Sequence, residues 1–263
     1  MVDIRSLTEQ LRLVSDAPEY EARIIVSKNL SDNEVDDILV RRRLGEPLSK
    51  ILGEKGFYKY IFKTSADVLD PRADSETLVE SVLKYVPDTG EKIRILDIGT
   101  GSGCLLVSTV MAYKNASGIG LDKSETALKI AKENAEQIAN DKNISFFKQD
   151  IMIDNWTKDL GGFDVIISNP PYIKTADIDG LDIAVKQYDP ILALDGGEDG
   201  LMAYRQLAKT LMPLVHENTK IFFEIGQGQE MDVADLMTQN GFILRAMEKD
   251  LGGIIRVLVF ERG

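Results

Sequence analysis

The tetrapeptide Asn169-Pro170-Pro171-Tyr172 has the residue types for chemistry on a planar nitrogen. An amide or exocyclic NH2 is a poor nucleophile because its lone pair is delocalised. The Asn169 side-chain carbonyl and the Pro170 backbone carbonyl would each accept one N–H from such a group. Carbonyl dipoles aimed that way orient the nitrogen and favour the positive charge that develops as it attacks. The Tyr172 ring would stack on the planar group. Pro171 lacks an N–H and stiffens the loop. No general base is needed at the start, because the proton becomes acidic only after transfer. The plain alternative is a Pro-rich loop after a buried strand.

A second group runs Leu96-Asp97-Ile98-Gly99-Thr100-Gly101-Ser102-Gly103, where a strand turns into a helix. Glycines there supply positive φ and let the backbone approach a ligand closely. The spacing is G-x-G-x-G, not the dinucleotide G-x-G-x-x-G. Asp122 ends the next strand, 23 residues after Gly99. An acid there accepts hydrogen bonds from ribose hydroxyls. The combination points to a nucleoside ligand; a tight structural turn beside a surface Asp is the plain alternative. In an open α/β sheet the crevice lies at the carboxyl ends of the strands, so both motifs would face it.

The elements that must position these groups alternate. Ile93–Ile98, Ser117–Leu121, Ile144–Lys148, Phe163–Ser168 and Lys220–Ile225 read as strands. Cys104 to Tyr113, Ser124 to Asn140, Leu201 to His216 and Met231 to Asn240 read as helices between or beside them. Such alternation implies an α/β fold with a mostly parallel sheet. Phe242–Met247 and Ile254–Phe260 have no helix between them and would pair as a hairpin, making one strand antiparallel. Residues 1–52 show helical spacing only, with helix starts at Asp16–Glu19 and Ser31–Glu34 and a stop at Gly45-Glu46-Pro47. Residues 53–69 are aromatic and β-prone, as in a short hairpin linking two domains.

The chain has 263 residues and a formal net charge of −12, with 44% hydrophobic residues. Residues 1–68 carry 11 basic and 12 acidic side chains, residues 69–263 carry 20 and 31. That balance argues against nucleic-acid binding that rests on bulk charge. One cysteine, Cys104, and one histidine, His216, exclude an intrachain disulfide, a thiolate zinc cage and a many-imidazole metal site. No stretch approaches 18 apolar residues, and Met1 to Arg5 do not begin a signal peptide. The expectation is a soluble, cytoplasmic protein using neither metal nor thiol. Cys104 reads as a small buried residue opening a helix and His216 as a helix cap. Arg41-Arg42-Arg43 reads as a solvated helix face or a partner contact. Asp177 to Glu198 reads as an exposed segment or a substrate-facing wall.

Asp97–Gly103 with Asp122 resembles the S-adenosylmethionine site of class I methyltransferases. Asn169–Tyr172 resembles the N-P-P-Y motif of amino-group methyltransferases. Arg42–Leu48, Leu69–Glu80 and Leu192–Gly200 resemble the release-factor glutamine methyltransferases, so the likeness runs from about residue 40 to 260. The resemblance implies a Rossmann-like class I methyltransferase sheet preceded by a small all-helical domain. The expected division is a helical substrate-recognition domain at 1–52, a β-hairpin linker at 53–69 and the methyltransferase domain at 70–263.

The implied reaction transfers a methyl group from S-adenosyl-L-methionine to N5 of the glutamine in the Gly-Gly-Gln motif of class-1 peptide chain release factors. S-adenosyl-L-homocysteine is the product and no metal takes part. By the same resemblance Asp97, Gly99, Thr100, Gly101, Ser102 and Gly103 would wrap the methionine and ribose, and Asp122 would hold the ribose. Asp150 and Ile151 would lie on the adenine side. Asn169 would serve cofactor and substrate, and Pro170, Pro171 and Tyr172 would hold the glutamine. The sequence departs from the family at Ile151, where an aromatic is common, and at Ala73 in Pro71–Glu76, where a second proline is usual. Trp156 would either stack on adenine in place of Ile151 or, the favoured reading, sit in the core or its rim. Arg72 and Glu76 would touch ligand or hold the domains together. The implied partner is a release factor, with no membrane or nucleic acid and a single chain acting alone. A nucleic-acid amino-group methyltransferase, acting on adenine N6 or guanine N2, would use the same tetrapeptide chemistry. A binding protein that has lost turnover is the third reading.

Overall fold

The computed structural model describes residues 3–263; Met1 and Val2 of the N-terminal reading lie outside them. Four helices open the chain. α1 (Ile4–Leu11) is capped by Asp3, whose side chain accepts from Arg5 N. α2 (Pro18–Ser27) carries proline at its first position, where no N–H is missed. α3 (Asp32–Arg43) starts with a Ser31/Glu34 capping box. α4 (Leu48–Leu52) follows the break at Gly45–Pro47. Leu7, Leu11, Ile25, Val35, Ile38 and Leu39 bury together as a small core of their own.

Arg42 corrects the expected solvated basic face. It is buried, with its guanidinium on both Glu21 oxygens at 2.9 Å and on the carbonyls of Glu46 and Val14 at 2.7 and 3.0 Å. A planar fork with several acceptors of fixed direction ties three segments together. Arg41 pairs with Glu46 at 2.6 Å, and Arg43 reaches Gln10 from the surface.

β1 (Glu54–Phe57) and β2 (Tyr60–Lys63) form the expected hairpin, with Tyr58 at φ 54° in the turn. The hairpin is more than a linker. Phe57 and Phe62 are buried in the same core as Leu78, Val79 and Leu106 of the sheet domain. Lys63 N donates to Asn134 Oδ1 at 2.7 Å, and Asn134 Nδ2 returns to Lys63 O at 3.1 Å.

The alternating part follows. α5 (Glu76–Tyr85) precedes β3 (Arg94–Ile98), α6 (Cys104–Ala112), β4 (Ser117–Asp122), α7 (Glu125–Ile138), β5 (Asn143–Lys148) and β6 (Phe163–Ser168). Then come the one-turn α8 (Ile183–Lys186), α9 (Met202–Thr210), β7 (Val215–Glu224), α10 (Glu230–Gln239), β8 (Phe242–Lys249) and β9 (Ile255–Arg262). The seven-stranded sheet has the order β5-β4-β3-β6-β7-β9-β8. β9 inserts between β7 and β8 and is antiparallel to both, so the closing hairpin supplies the one antiparallel strand. Ile95, Leu96, Val165, Ile166 and Ile167 are wholly buried, as central strands covered on both faces must be. One core lies on the α9 and α10 face, the other on the α5 and α6 face.

The helix expected over Leu201–His216 ends at Thr210, and Pro213 starts a new turn. His216 is therefore in β7 and caps no helix; its Nε2 lies 3.0 Å from Asp164 Oδ1. Trp156 is a core residue, 3% exposed, with Nε1 donating to Thr210 Oγ1 at 2.9 Å. Among the described residues no helix is long and apolar enough to cross a membrane.

Candidate active site

The β3–α6 turn is pulled toward β4. Gly99 N and Thr100 N both donate to Leu121 O, at 2.8 and 2.9 Å. Gly99, Gly101 and Gly103 all have positive φ, 75°, 55° and 78°. A Cβ on Gly99 would meet nothing within 4 Å, so this backbone is open for close approach. Gly103 differs: a Cβ there would sit 3.2 Å from Ala131 Cβ, and its role is to let α6 pack on α7. Asp122 Oδ2 accepts from Gly101 N and Oδ1 from Ser124 N, each at 2.9 Å. One carboxylate thereby fixes the turn and keeps lone pairs for a ligand.

The Asn169–Tyr172 loop leaves the end of β6, beside this turn. Ser168 Oγ donates to Ile98 O at 2.7 Å and ties the two strand ends together. Behind the loop, Ile173 N donates to Leu194 O and Gly196 N to Ile173 O, at 3.0 and 2.8 Å. Gln229 Nε2 holds Tyr172 O at 3.1 Å while its Oε1 accepts from Gly226 N at 3.0 Å. A Cβ on Gly196 would lie 2.8 Å from Tyr172 Cα, and one on Gly226 would lie 2.9 Å from the Tyr172 ring. Leu192–Gly200 is thus the backing of the loop, which explains its glycines.

One cavity joins the two motifs. Gly99, Thr100, Gly101, Ser102 and Asp122 line one wall, Asn169, Pro170 and Pro171 the other, and Asp150 with Ile151 lines it as well. Asp97, Gly103 and Tyr172 do not line it. Tyr172 packs against the core beside Gly226, and its ring anchors the loop. Met202 and the Asp67–Asp70 stretch add walls that the sequence reading left unassigned, while Leu192 and Arg72 line the cavity as two of its readings allowed. Cys104 lines the cavity too and is partly exposed rather than buried, though burial of its thiol pushes its pKa up to about 12.

The Asp177–Glu198 segment closes the far side. Asp189 is buried and pairs with Arg72 and Lys50. Glu76 accepts from Tyr58 N at 2.8 Å, so it secures the hairpin, and Arg72 with Asp189 secures the wall.

Two buried acids stand beside the cavity. Burial pushes the Asp97 carboxyl up to about 7, despite the hydrogen bond from Thr100 Oγ1 at 2.6 Å. Its Oδ1 has no partner, an orphaned buried acceptor next to the glycine turn. Burial likewise pushes Glu224 up to about 7, against the pull of Ser75, Arg256 and Asn169. Glu224 and Gln229 were missed in sequence; an acid closing an apolar strand run, Ile221-Phe222-Phe223-Glu224, was the available signal. Burial also raises Asp122, partly offset by the Ser124 and Gly101 amides. Among the described residues no group of three or more His, Cys, Asp or Glu side chains could hold a metal ion.

The open Gly99 backbone and the Asp122 carboxylate fit a nucleoside-bearing cofactor. Residues 64–187 match the family described as Methyltransferase small domain. A crystal structure of a methyltransferase from Pyrococcus furiosus superimposes with a TM-score of 0.51 at 18% identity, covering 71% of this chain and 83% of that one, a likeness of fold. The release factor glutamine methyltransferase of Rhodospirillum rubrum is 40% identical, over 87% of this chain and 68% of its own length. That of Caulobacter vibrioides is 36% identical over 98% of this chain and 90% of its own length. At that identity over most of both chains, with the sheet order and the two motifs in place, the chain belongs to the release factor glutamine methyltransferase family.

Proposed function

We propose that this enzyme methylates N5 of the glutamine in the Gly-Gly-Gln motif of class-1 peptide chain release factors, with S-adenosyl-L-methionine as donor and S-adenosyl-L-homocysteine as product. The observation that carries the reading is the single cavity with the glycine turn on one wall and Asn169-Pro170-Pro171 on the other. Bound there, the cofactor supplies an electrophilic methyl group on a sulfonium.

Gly99, Thr100, Gly101 and Ser102 hold the methionine and ribose part, and Asp122 accepts from the ribose hydroxyls. Asp97, through its bond from Thr100, and Gly103 set the turn from behind. Asp150 and Ile151 bound the adenine. The Asn169 side-chain carbonyl and the Pro170 carbonyl accept the two N–H groups of the glutamine amide. They hold its nitrogen in line and favour the positive charge that forms on it. Pro171 keeps the loop rigid and Tyr172 anchors it. The product amide loses its extra proton once the new bond has formed.

The helical unit, residues 1–52, recognises the release factor, the hairpin at 53–69 joins it to the sheet, and residues 70–263 do the chemistry. One chain brings both walls of the cavity, so the reading is of a monomer. It acts in the cytoplasm, without a metal. The acidic sheet domain speaks against a nucleic-acid substrate. Mass spectrometry tests the reading: the release-factor peptide that carries Gly-Gly-Gln gains one methyl group on its glutamine. An unmodified glutamine with methyl groups entering RNA or DNA would refute it.

A further inference from the structure

Two side chains that face Asn169 have no part in the reading so far. Asn169 Nδ2 donates to Ser75 Oγ at 3.2 Å. Ser75 is 3% exposed and Glu224 is 1% exposed. Glu224 is the last residue of β7, and the Ser75 and Asn169 donors stand near enough to its carboxyl to pull its pKa down. Its Oε2 has no partner. Arg256 from β9, Asp74 beside Ser75, Tyr172 behind the loop, Tyr204 from α9 and Cys104 from α6 also face this carboxyl. Arg256 is already shared between Asp250 and Asp74, each at 3.1 Å.

The donors and acceptors allow one sense. An ionised carboxylate only accepts, and a serine hydroxyl has one hydrogen to give. With Glu224 ionised, Ser75 gives that hydrogen to Glu224 and accepts from Asn169. Asn169 must then keep its NH2 toward Ser75 and its carbonyl toward the cavity. A protonated Glu224 has a hydrogen to offer. The Ser75 hydroxyl can then turn and donate to Asn169, and the amide can reverse. The two orientations recognise opposite groups. A carbonyl in the cavity accepts from a glutamine NH2 and repels a carboxylate. An NH2 there donates to a carboxylate.

We propose that Ser75 and Glu224 are positioning residues: they lock the Asn169 amide with its carbonyl toward the substrate, and so select a glutamine amide over a glutamate carboxylate. The proposal rests on the functional reading above and goes beyond it by naming what sets the amide's direction. The raised pKa of Glu224 adds a pH dependence. The lock is in place above about pH 7 and loosens below, as Glu224 takes up a proton.

The test uses calorimetry with S-adenosyl-L-homocysteine present and release factors carrying Gly-Gly-Gln or Gly-Gly-Glu. It also records the pH profile of kcat on the Gln form. Wild type should prefer the Gln form by at least about 100-fold at high pH, with the preference and kcat both falling through pH 7. Glu224→Gln does not titrate and offers Ser75 both a donor and an acceptor. It should lose most of the preference and the acid limb together. Ser75→Ala removes a donor that pulls the Glu224 pKa down, so its acid limb should move to higher pH and its preference should shrink. Should Glu224→Gln not fold, Ser75→Ala decides alone. Variants that keep both the wild-type preference and the wild-type acid limb would overturn the lock and leave the function standing. A wild type that binds neither release factor would overturn the functional reading, and the lock with it.

Discussion

Lys50 Nζ lies 3.0 Å from Asp189 Oδ1, with both side chains 3% exposed, and the pair joins the helical unit to the far wall of the cavity. The same ammonium reaches Asp70 at 2.9 Å and the carbonyls of Ser65 and Val68 at 2.7 and 2.6 Å. Arg72 takes the other Asp189 oxygen. Two cations and two carboxylates thus fasten α4, the Ser65–Arg72 stretch and the segment before Pro190.

Lys50→Met leaves Asp70 and Asp189 buried without their common partner. Breaking a buried network from one side costs about 3–5 kcal/mol, and urea unfolding at neutral pH should show a loss of that size. Burial pushes the Asp70 carboxyl up, but Lys50, Ser49 and Thr64 outweigh it and hold it below the usual 3.8. Its folded pKa is lowered, so its contribution is present at neutral pH and is lost only as pH falls below about 4. The deficit of Lys50→Met should therefore narrow in acid; a deficit constant with pH would contradict the ion-pair account.

Asn169→Ala removes a carbonyl aimed at the reacting nitrogen. kcat should fall by at least about 100-fold. Binding of S-adenosyl-L-homocysteine should stay within a few-fold, because the glycine turn and Asp122 are untouched. Calorimetry and single-turnover transfer measure the two separately. Retained turnover would remove Asn169 from its role.

Gly200 has φ 78°, and a Cβ on it would strike Tyr172 O and lie 2.7 Å from Gln229 Nε2. Gly200→Ala should displace the Asn169–Tyr172 loop, lower kcat by about 10–100-fold and cost about 1–3 kcal/mol of stability. Gln229→Ala loosens the same loop without a clash and should lower kcat with a smaller loss of stability. A Gly200→Ala enzyme with wild-type kcat would show that the backing does not position the loop.

Asp97 has its pKa pushed up to about 7 by burial. For an acid, a raised folded pKa means that ionisation costs more in the fold than in the unfolded chain. Stability from this group therefore declines as pH rises from about 4 to about 7 and is level above. Asp97→Asn should flatten that decline and raise the melting temperature of the ligand-free enzyme at high pH, while weakening S-adenosylmethionine binding. A melting temperature that follows the wild-type pH curve would refute the cost assigned to Asp97.

Much of the frame was legible in the chain because its signals are local. The Ser31/Glu34 box, the glycine turn and the apolar strand runs each depend on neighbours a few residues apart. The resemblance added the family. What was not legible depends on distant partners. Arg42 looked solvated because Glu21, Val14 and Glu46 meet it only after the helices pack. His216 looked like a cap because the break after Thr210 is small beside the apolar pattern running through it. Glu224 was passed over because its value lies in burial beside Ser75, 149 positions away in the chain.

The most direct measurement is transfer of labelled methyl from S-adenosyl-L-methionine to purified release factor, with its Gly-Gly-Gln glutamine intact or replaced. The account predicts label on the intact factor alone, carried by N5 of that glutamine. Equal label on both factors, or label on neither with label entering RNA or DNA, would contradict it.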